Sequence, residues 1–436
     1  MTDSPHHRGT TEILATADRL WNGETVTDRG LVGASDHGLA EVADGVAFVP
    51  SFANVAAIET GDGLVLVDTG SSFMAKSIHR TLRGWTSSRL NTALYTHGHI
   101  DHVLGTRVWD AESADNDWAR PVVVSHEAVP ARFDRYVLTA GYNTVVNRRQ
   151  FSMDDLRWPT EYRYPDQTFR DHLDLEVGGV AIELHHDRGE TDDHAWAWLP
   201  EQRVLCAGDL FIWASPNAGN PQKVQRYPLE WAIALRRMLA LFDRPGGGPE
   251  VLLPGHGYPI VGEGRIRQAL DETAELLESV VEQTLALMNA GARLDEAVHT
   301  VTAPAHLLDR PYLHPVYDEP EFVVRSVWRR YGGWWDGNPA NLKPASERAL
   351  ATELADLAGG SRVLAERALA LLATSGTDPL DDGPLRLAGH LVELAWDATP
   401  EDDVVREARR AVFARRAEQA TSTMAHGVFS WAARES

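Results

Sequence analysis

Through the first 262 residues, apolar positions come in short runs closed by turn residues: GVAFVPSFANVAAIET, GLVLVDTG, NTALYTHGH, RPVVVSH, GGVAIELHH, HAWAWLP, RVLCAGD and PEVLLPGHG. Several are rich in β-branched residues and only four to seven apolar residues long, which predicts buried strands. Helical spacing between them predicts helices over 72–84 and 228–242, so this half reads as α/β, with RPGGGPE (244–250) as a loop. After residue 263 the texture changes. There, Ile266, Leu270, Leu277, Val281, Leu285 and Met288 fall on one helical stripe, and Gly291 follows where a C-terminal glycine is expected. Further helices are predicted over 346–358, 361–374, 385–395 and 401–420, at spacings too irregular for a repeat. The expected organisation is an α/β domain over 1–262 and an all-α domain over 263–436.

Composition narrows the class. A chain of 436 residues that is 43% hydrophobic can bury full-sized cores. The first twenty residues lack a basic stretch followed by an apolar run, and no segment approaches the roughly 20 apolar residues that span a bilayer. A lone cysteine, Cys206, excludes an intramolecular disulfide. These features lead to the expectation of a cytoplasmic protein without a membrane span. The net charge of -22 is spread along the chain, which argues against a nucleic-acid partner and requires local basic residues for any anionic substrate.

The segment THGHIDHVLG (96–105) then stands out. His97, His99, Asp101 and His102 follow an apolar run directly, so imidazoles and a carboxylate project from one short turn. One cation rarely uses four ligands from so short a segment, whereas two neighbouring cations can. Further donors follow later apolar runs: Glu190 and His194, then Asp209, then His256. Nitrogen and oxygen donors of this kind suit zinc, and ligands at successive strand ends build a site along one sheet edge. Glu190 and His194 are competing candidates for one ligand position.

The pattern resembles the metallo-β-lactamase superfamily, whose αββα sandwich carries an H-x-H-x-D-H motif, a later histidine, a bridging carboxylate and a final histidine. Carried over by motif, the resemblance implies that His97, His99 and Glu190 hold one metal. Asp101, His102 and His256 hold a second, and Asp209 bridges the two. Where most members read G-H-T, this chain reads Gly189-Glu190-Thr191. Three carboxylates make the site harder, so Mn2+ or Fe2+ become conceivable beside Zn2+. Asp68 in LVLVDTG occupies the place of an aspartate that orients a metal-binding histidine.

Within the superfamily the alkylsulfatase branch is the nearer likeness. It uses a glutamate at the Glu190 position and a bridging carboxylate 19 residues later, as Glu190 and Asp209 are spaced here. GYNTVVNRRQ (141–150) and SVWRRYGGWWDGNPANLKP (326–344) also resemble segments of that branch, the second opening its helical dimerisation domain. The implied protein is a homodimeric, dinuclear hydrolase of sulfate esters acting through a metal-bound hydroxide, with Asp101 and Asp209 as catalytic carboxylates. Arg148 and Arg149 are the expected anion contacts. The branch's R-G-A-Q stretch is replaced here by SPNAGNPQKVQRYP, so Lys223 or Arg226 is expected to substitute for its arginine. The branch's sterol-carrier-like domain is not expected in this chain, which points to a shorter or differently shaped small anionic ester. A hydrolase of another ester, a lactone or a phosphoester is the alternative, and a dinuclear iron redox enzyme a weaker one.

Overall fold

The computed structural model describes residues 5–24, 38–376 and 382–436. Two compact units are present: one comprises residues 1–140 and 159–333, the other 141–158 and 334–436.

In the first unit, α1 (Pro5–Trp21) leads into a seven-stranded sheet of sequential order. Its strands are β1 (Ala40–Ala43), β2 (Val46–Val49), β3 (Val55–Thr60), β4 (Gly63–Val67), β5 (Leu90–Leu94), β6 (Val122–His126) and β7 (Gln167–Phe169). Strands β1 to β4 pair antiparallel, and β4 to β7 pair parallel. Helices α2 (Ala75–Trp85), α3 (Ile100–Val103), α4 (Thr106–Asp115), α5 (Val129–Leu138) and α6 (Ala140–Phe151) are interspersed, α6 passing into the second unit. A six-stranded sheet follows from β8 (His172–Val177), β9 (Val180–His186), β10 (Ala195–Leu199), β11 (Val204–Ile212), β12 (Val251–His256) and β13 (Ile260–Val261). Its order is β13-β12-β11-β10-β9-β8, which leaves β8 on an edge.

The apolar runs are near-continuous because both faces of the first sheet are buried. Phe48, Ile58, Val65 and Leu94 point into a core shared with the second sheet, while their neighbours Ala47, Ala57, Leu66 and Ala93 pack under Ile78, Leu82, Trp109 and Phe133 of the flanking helices. On the far side, α7 (Pro228–Leu239) and α8 (Glu263–Asn289) bury Trp231, Leu235, Ile266 and Leu270 against the second sheet. The result is the expected αββα sandwich. Helices α9 (Leu294–Thr300), α10 (Ala305–Leu308) and α11 (Pro320–Gly332) complete this unit.

The change of texture at residue 263 is not where the units divide. The stripe Ile266, Leu270, Leu277 and Val281 on α8 is buried in the sandwich core, so the first unit continues to Gly333. Gly291, with φ +85°, ends α8 as expected, and the Ala292 N–H donates back to the Leu287 carbonyl.

The second unit joins the 141–158 segment to α12 (Glu347–Ala358), α13 (Ser361–Thr374), α14 (Gly383–Ala398), α15 (Asp403–Gln419) and α16 (Thr423–Glu435). Its core is made of small and branched residues, among them Ala365, Ala368, Ala388, Val392, Val405 and Val412.

One close approach holds the loops beneath the motif segment. A Cβ on Gly105 would lie 1.8 Å from the Thr69 carbonyl oxygen, where backbone cannot yield as a side chain can. Gly105→Ala is therefore expected to lower stability by about 1–3 kcal/mol or more, the cost of overpacking, measured by urea denaturation.

Candidate metal centre

After β5 the chain turns at Thr96 and delivers the four motif residues. His97 Nε2 lies 3.6 Å from Glu190 Oε2 and 3.6 Å from Asp209 Oδ2, and His99 Nδ1 lies 3.1 Å from Glu190 Oε2. On the other side of Asp209, His102 Nε2 is 3.4 Å from its Oδ1, and His256 Nε2 is 3.4 Å from its Oδ2. Asp101 Oδ2 lies 3.7 Å from His102 Nε2 and 3.6 Å from His256 Nε2. Two donor groups thus form, His97/His99/Glu190/Asp209 and Asp101/His102/His256, with Asp209 within reach of both.

Local backbone explains the convergence. Asp209 does not simply follow a strand; it sits inside β11 at a register shift, where Gly208 takes φ +52°. A side chain at Gly208 would strike His194 and Thr96. His256 is the last residue of β12, and its Nδ1 is held by the Phe52 carbonyl. His102 Nδ1 donates to Asp68 Oδ2 at 2.7 Å, and Asp68 also accepts the Thr96 N–H and hydroxyl. Asp68 thereby fixes the His102 ring with Nε2 toward Asp209.

Three donor atoms in this group, His102 Nε2, Glu190 Oε2 and Asp209 Oδ1, are buried without a hydrogen-bond partner among the described residues. Orphaned buried donors of mixed imidazole and carboxylate type fit a divalent cation, which would supply the missing partner. Charge agrees: burial alone would raise the Asp209 pKa, but His256 and His102 hold it well below the usual carboxylate range. Burial likewise opposes the charge on His256, and Asp209 outweighs it, raising His256 to about 9.

His194 takes a different place from Glu190. Its Nε2 accepts the Asp209 N–H at 3.0 Å, and burial lowers its pKa to about 4. A ring committed in this way supports the backbone of Asp209, while Glu190 joins His97 and His99.

The two matched stretches account for these features. Residues 49–256 match the family model described as the metallo-beta-lactamase superfamily, and residues 293–436 match that described as alkyl sulfatase dimerisation. The chain joins a metallo-beta-lactamase domain to an alkyl sulfatase dimerisation domain. It is 26% identical over 325 residues to a linear primary-alkylsulfatase of Pseudomonas sp., covering 70% of this chain and 60% of the relative. Against an (R)-specific secondary-alkylsulfatase of Pseudomonas sp. the identity is 27% over 317 residues, covering 67% and 47%. The fold is similar to that of a solved stereoselective inverting sec-alkylsulfatase from Pseudomonas sp., with TM-score 0.78 at 22% identity, covering 91% of this chain and 65% of that one. The chain therefore spans about half to two thirds of the length of these proteins.

Within the metallo-beta-lactamase domain, the altered 215–227 stretch turns toward Glu190. Arg226 is buried, with Nη1 3.1 Å from Glu190 Oε1 and bonded to the Glu190 carbonyl. Asn217, which carries no motif signature, donates Nδ2–H to Glu190 Oε1. The loop is pinned to α11 and the residues just before it: the Gly219 N–H donates to Asp318 Oδ2 at 2.6 Å, and Gln225 Nε2 donates to the Ser326 carbonyl. Lys223 is half-buried, and burial together with Arg226 lowers its pKa to about 7.

A buried ion pair supports the motif turn as well. Arg132 Nε donates to Asp193 Oδ2 at 2.6 Å, and the same oxygen accepts the Gly98 N–H at 3.1 Å. A Cβ on Gly98 would lie 2.8 Å from Arg132 Cδ, so the turn between His97 and His99 rests directly on this pair. Neither residue has a motif signature.

Arg148 and Arg149 lie in the second unit. There Arg148 Nε donates to the Leu156 carbonyl at 2.8 Å, and the Arg149 guanidinium lies 3.9 Å over the Trp431 ring.

With Arg226 bonded to Glu190, loss of its side chain takes away the cationic partner of that carboxylate and leaves it to Asn217. Arg226→Ala is expected to weaken divalent-cation binding at the His97/His99/Glu190/Asp209 group about 10–100-fold, the usual effect of losing such an orienting partner, read by metal retention against a graded chelator.

Proposed function

We propose that the chain is a metal-dependent hydrolase of alkyl sulfate esters acting at a dinuclear centre. The observation that carries this reading is Asp209 lying between two donor groups in a domain architecture shared with alkylsulfatases. When bound, two divalent cations supply Lewis acidity and bring water's pKa toward neutrality, with Zn2+ best matched to this donor set. Asp209 is buried and holds both donor groups in register. Asp101 is more open, with 20% of its side chain exposed against 6% for Asp209, which suits a carboxylate that meets incoming water and takes its proton.

For the ester's anionic head, Lys223 is the cation we assign among the loop residues, because Arg226 is engaged by Glu190. A pKa near 7 makes its charge depend on the company of an anion, which would restore the protonated form. Arg148 and Arg149 stand as further anion contacts in this reading. Each already has a partner within its unit, so an effect on KM without a stability change is what would mark either one as a substrate contact. A carboxylic ester, lactone or phosphoester substrate is the second reading, favoured by a 215–227 loop that supports Glu190 in place of presenting an arginine.

The test is release of inorganic sulfate from short and medium primary and secondary alkyl sulfates by metal-supplemented protein, beside lactones, carboxylic esters and phosphate monoesters. Sulfate release that vanishes in Asp209→Ala is expected, and Lys223→Met is expected to raise KM roughly ten- to a hundredfold, about 1.5–3 kcal/mol for one charged hydrogen bond. Turnover of another ester class with no sulfate release would replace the substrate assignment. Full activity in Asp209→Ala would end the hydrolase reading.

The same proposal includes a homodimer. On α12, Leu350, Leu354 and Leu357 recur at helical spacing and stand 54%, 37% and 77% exposed, an apolar stripe suited to a second copy. Light scattering is expected to give twice the 48.1 kDa chain mass; a monomer at all concentrations would refute it.

A further inference from the structure

Apart from the Asp209 centre, the β8–β9 hairpin gathers imidazoles and carboxylates of its own. Antiparallel register sets His172 opposite His185 and Asp174 opposite Glu183. Because successive residues alternate faces, these four share one face, while Leu173, Leu175, Ile182 and Leu184 turn to the sandwich core. The His186 N–H donates to the Asp171 carbonyl at 2.9 Å, which makes 171/186 a hydrogen-bonded pair and the adjacent 172/185 a non-hydrogen-bonded one. Side chains approach closest at the second kind of pair. The two imidazole centroids are 4.6 Å apart, and one donor atom each from His172, Glu183 and His185 lie within 4.8 Å of one another.

Spacing and support favour a ligand cage over a loose surface pair. His185 Nε2 lies 3.3 Å from Glu183 Oε2, and His172 Nε2 lies 3.1 Å from Asp174 Oδ1. Neighbouring ligands on a tetrahedral zinc ion with bonds near 2.0–2.1 Å stand roughly 3.3 Å apart. The His185 ring is stacked on Trp196 at 4.1 Å, and Trp196 is itself fixed by Nε1–H donation to Asp187 Oδ2. Arg244 grips Glu183 at 2.7 and 2.8 Å, which sets the carboxylate's orientation. A carboxylate oxygen has two lone pairs, so one on each oxygen remains for a cation. His172 is the open side of the group, its side chain 42% exposed, and its donor atom lies within 4.8 Å of those of Glu183 and His185.

We propose that His172, Glu183 and His185 form a second metal site, independent of the Asp209 centre, for a divalent transition ion of the zinc class. Two imidazoles with one carboxylate favour such an ion over Mg2+ or Ca2+, which take oxygen ligands. The ion would cross-link β8, the edge strand, to β9. This assignment stands whether or not the chain hydrolyses sulfate esters.

The experiment is equilibrium dialysis of the full chain against Zn2+, with bound metal counted per chain, on wild type, the His172→Gln/His185→Gln double variant, Glu183→Gln and Asp209→Ala. The double variant is expected to bind one ion fewer than wild type at saturation, and Glu183→Gln to hold that ion at least tenfold more weakly. Asp209→Ala is expected to keep the ion that the double variant loses. Equal stoichiometry and affinity in wild type and the double variant would overturn the proposal, while failure of the Asp209 centre alone would appear only in Asp209→Ala. Should the double variant fold poorly by circular dichroism, His172→Gln, at a solvent-exposed position, carries the same comparison.

Discussion

A single buried carboxylate organises this domain. Asp209 stands within 3.6 Å of three imidazoles, two from the motif turn and one from the end of β12, and the neighbouring positive charge is what makes its burial tolerable. Taking a carboxylate out of water costs several kcal/mol unless cations surround it. The β11 bulge at Gly208, the turn after β5 and the end of β12 are therefore coupled through one side chain. Removing any of them leaves charge stranded in the sandwich.

Around that carboxylate, each donor is steadied by a group from a different layer. Asp68 orients His102, the Arg132–Asp193 pair carries the turn of His97 and His99, and Asn217 with Arg226 restrains Glu190. The last two come from a loop pinned on α11 and the residues just before it, so a segment remote in sequence governs the attitude of Glu190. This division of labour differs from a simple anion pocket: the basic residue of the loop balances the protein's own carboxylate.

The eight apolar runs read from the sequence all fall on strands, because a sandwich with both faces of a sheet covered leaves its strands as continuous apolar stretches. The motif donors were legible for a related reason: four of the seven lie within six residues, and the others lie in or shortly after apolar runs. What could not be read was anything depending on distant pairing. β1, β7 and β13 span only four, three and two residues, too short for a periodic signal, while β8 alternates polar and apolar residues and so offers no continuous apolar run. The partnership of Arg132 with Asp193 joins residues 61 apart, and that of Arg226 with Glu190 joins residues 36 apart. The unit boundary escaped because α8 has the pattern of any amphipathic helix, and pattern alone does not say which core receives the stripe.

Asp68 has one more property that bears on how this sequence can change. Its backbone φ is +60°, a left-handed conformation that costs a residue bearing a Cβ roughly 1 kcal/mol. Glycine would relieve the cost and delete the carboxylate that His102 and Thr96 require, while glutamate would keep a charge in the wrong place and the strain with it. Aspartate and asparagine tolerate this region best, and only aspartate also supplies a negative charge to the imidazole. The position is thus locked from two directions, by torsion and by electrostatics, and the fold carries a small permanent instability there that drift cannot remove without unseating the ring it holds.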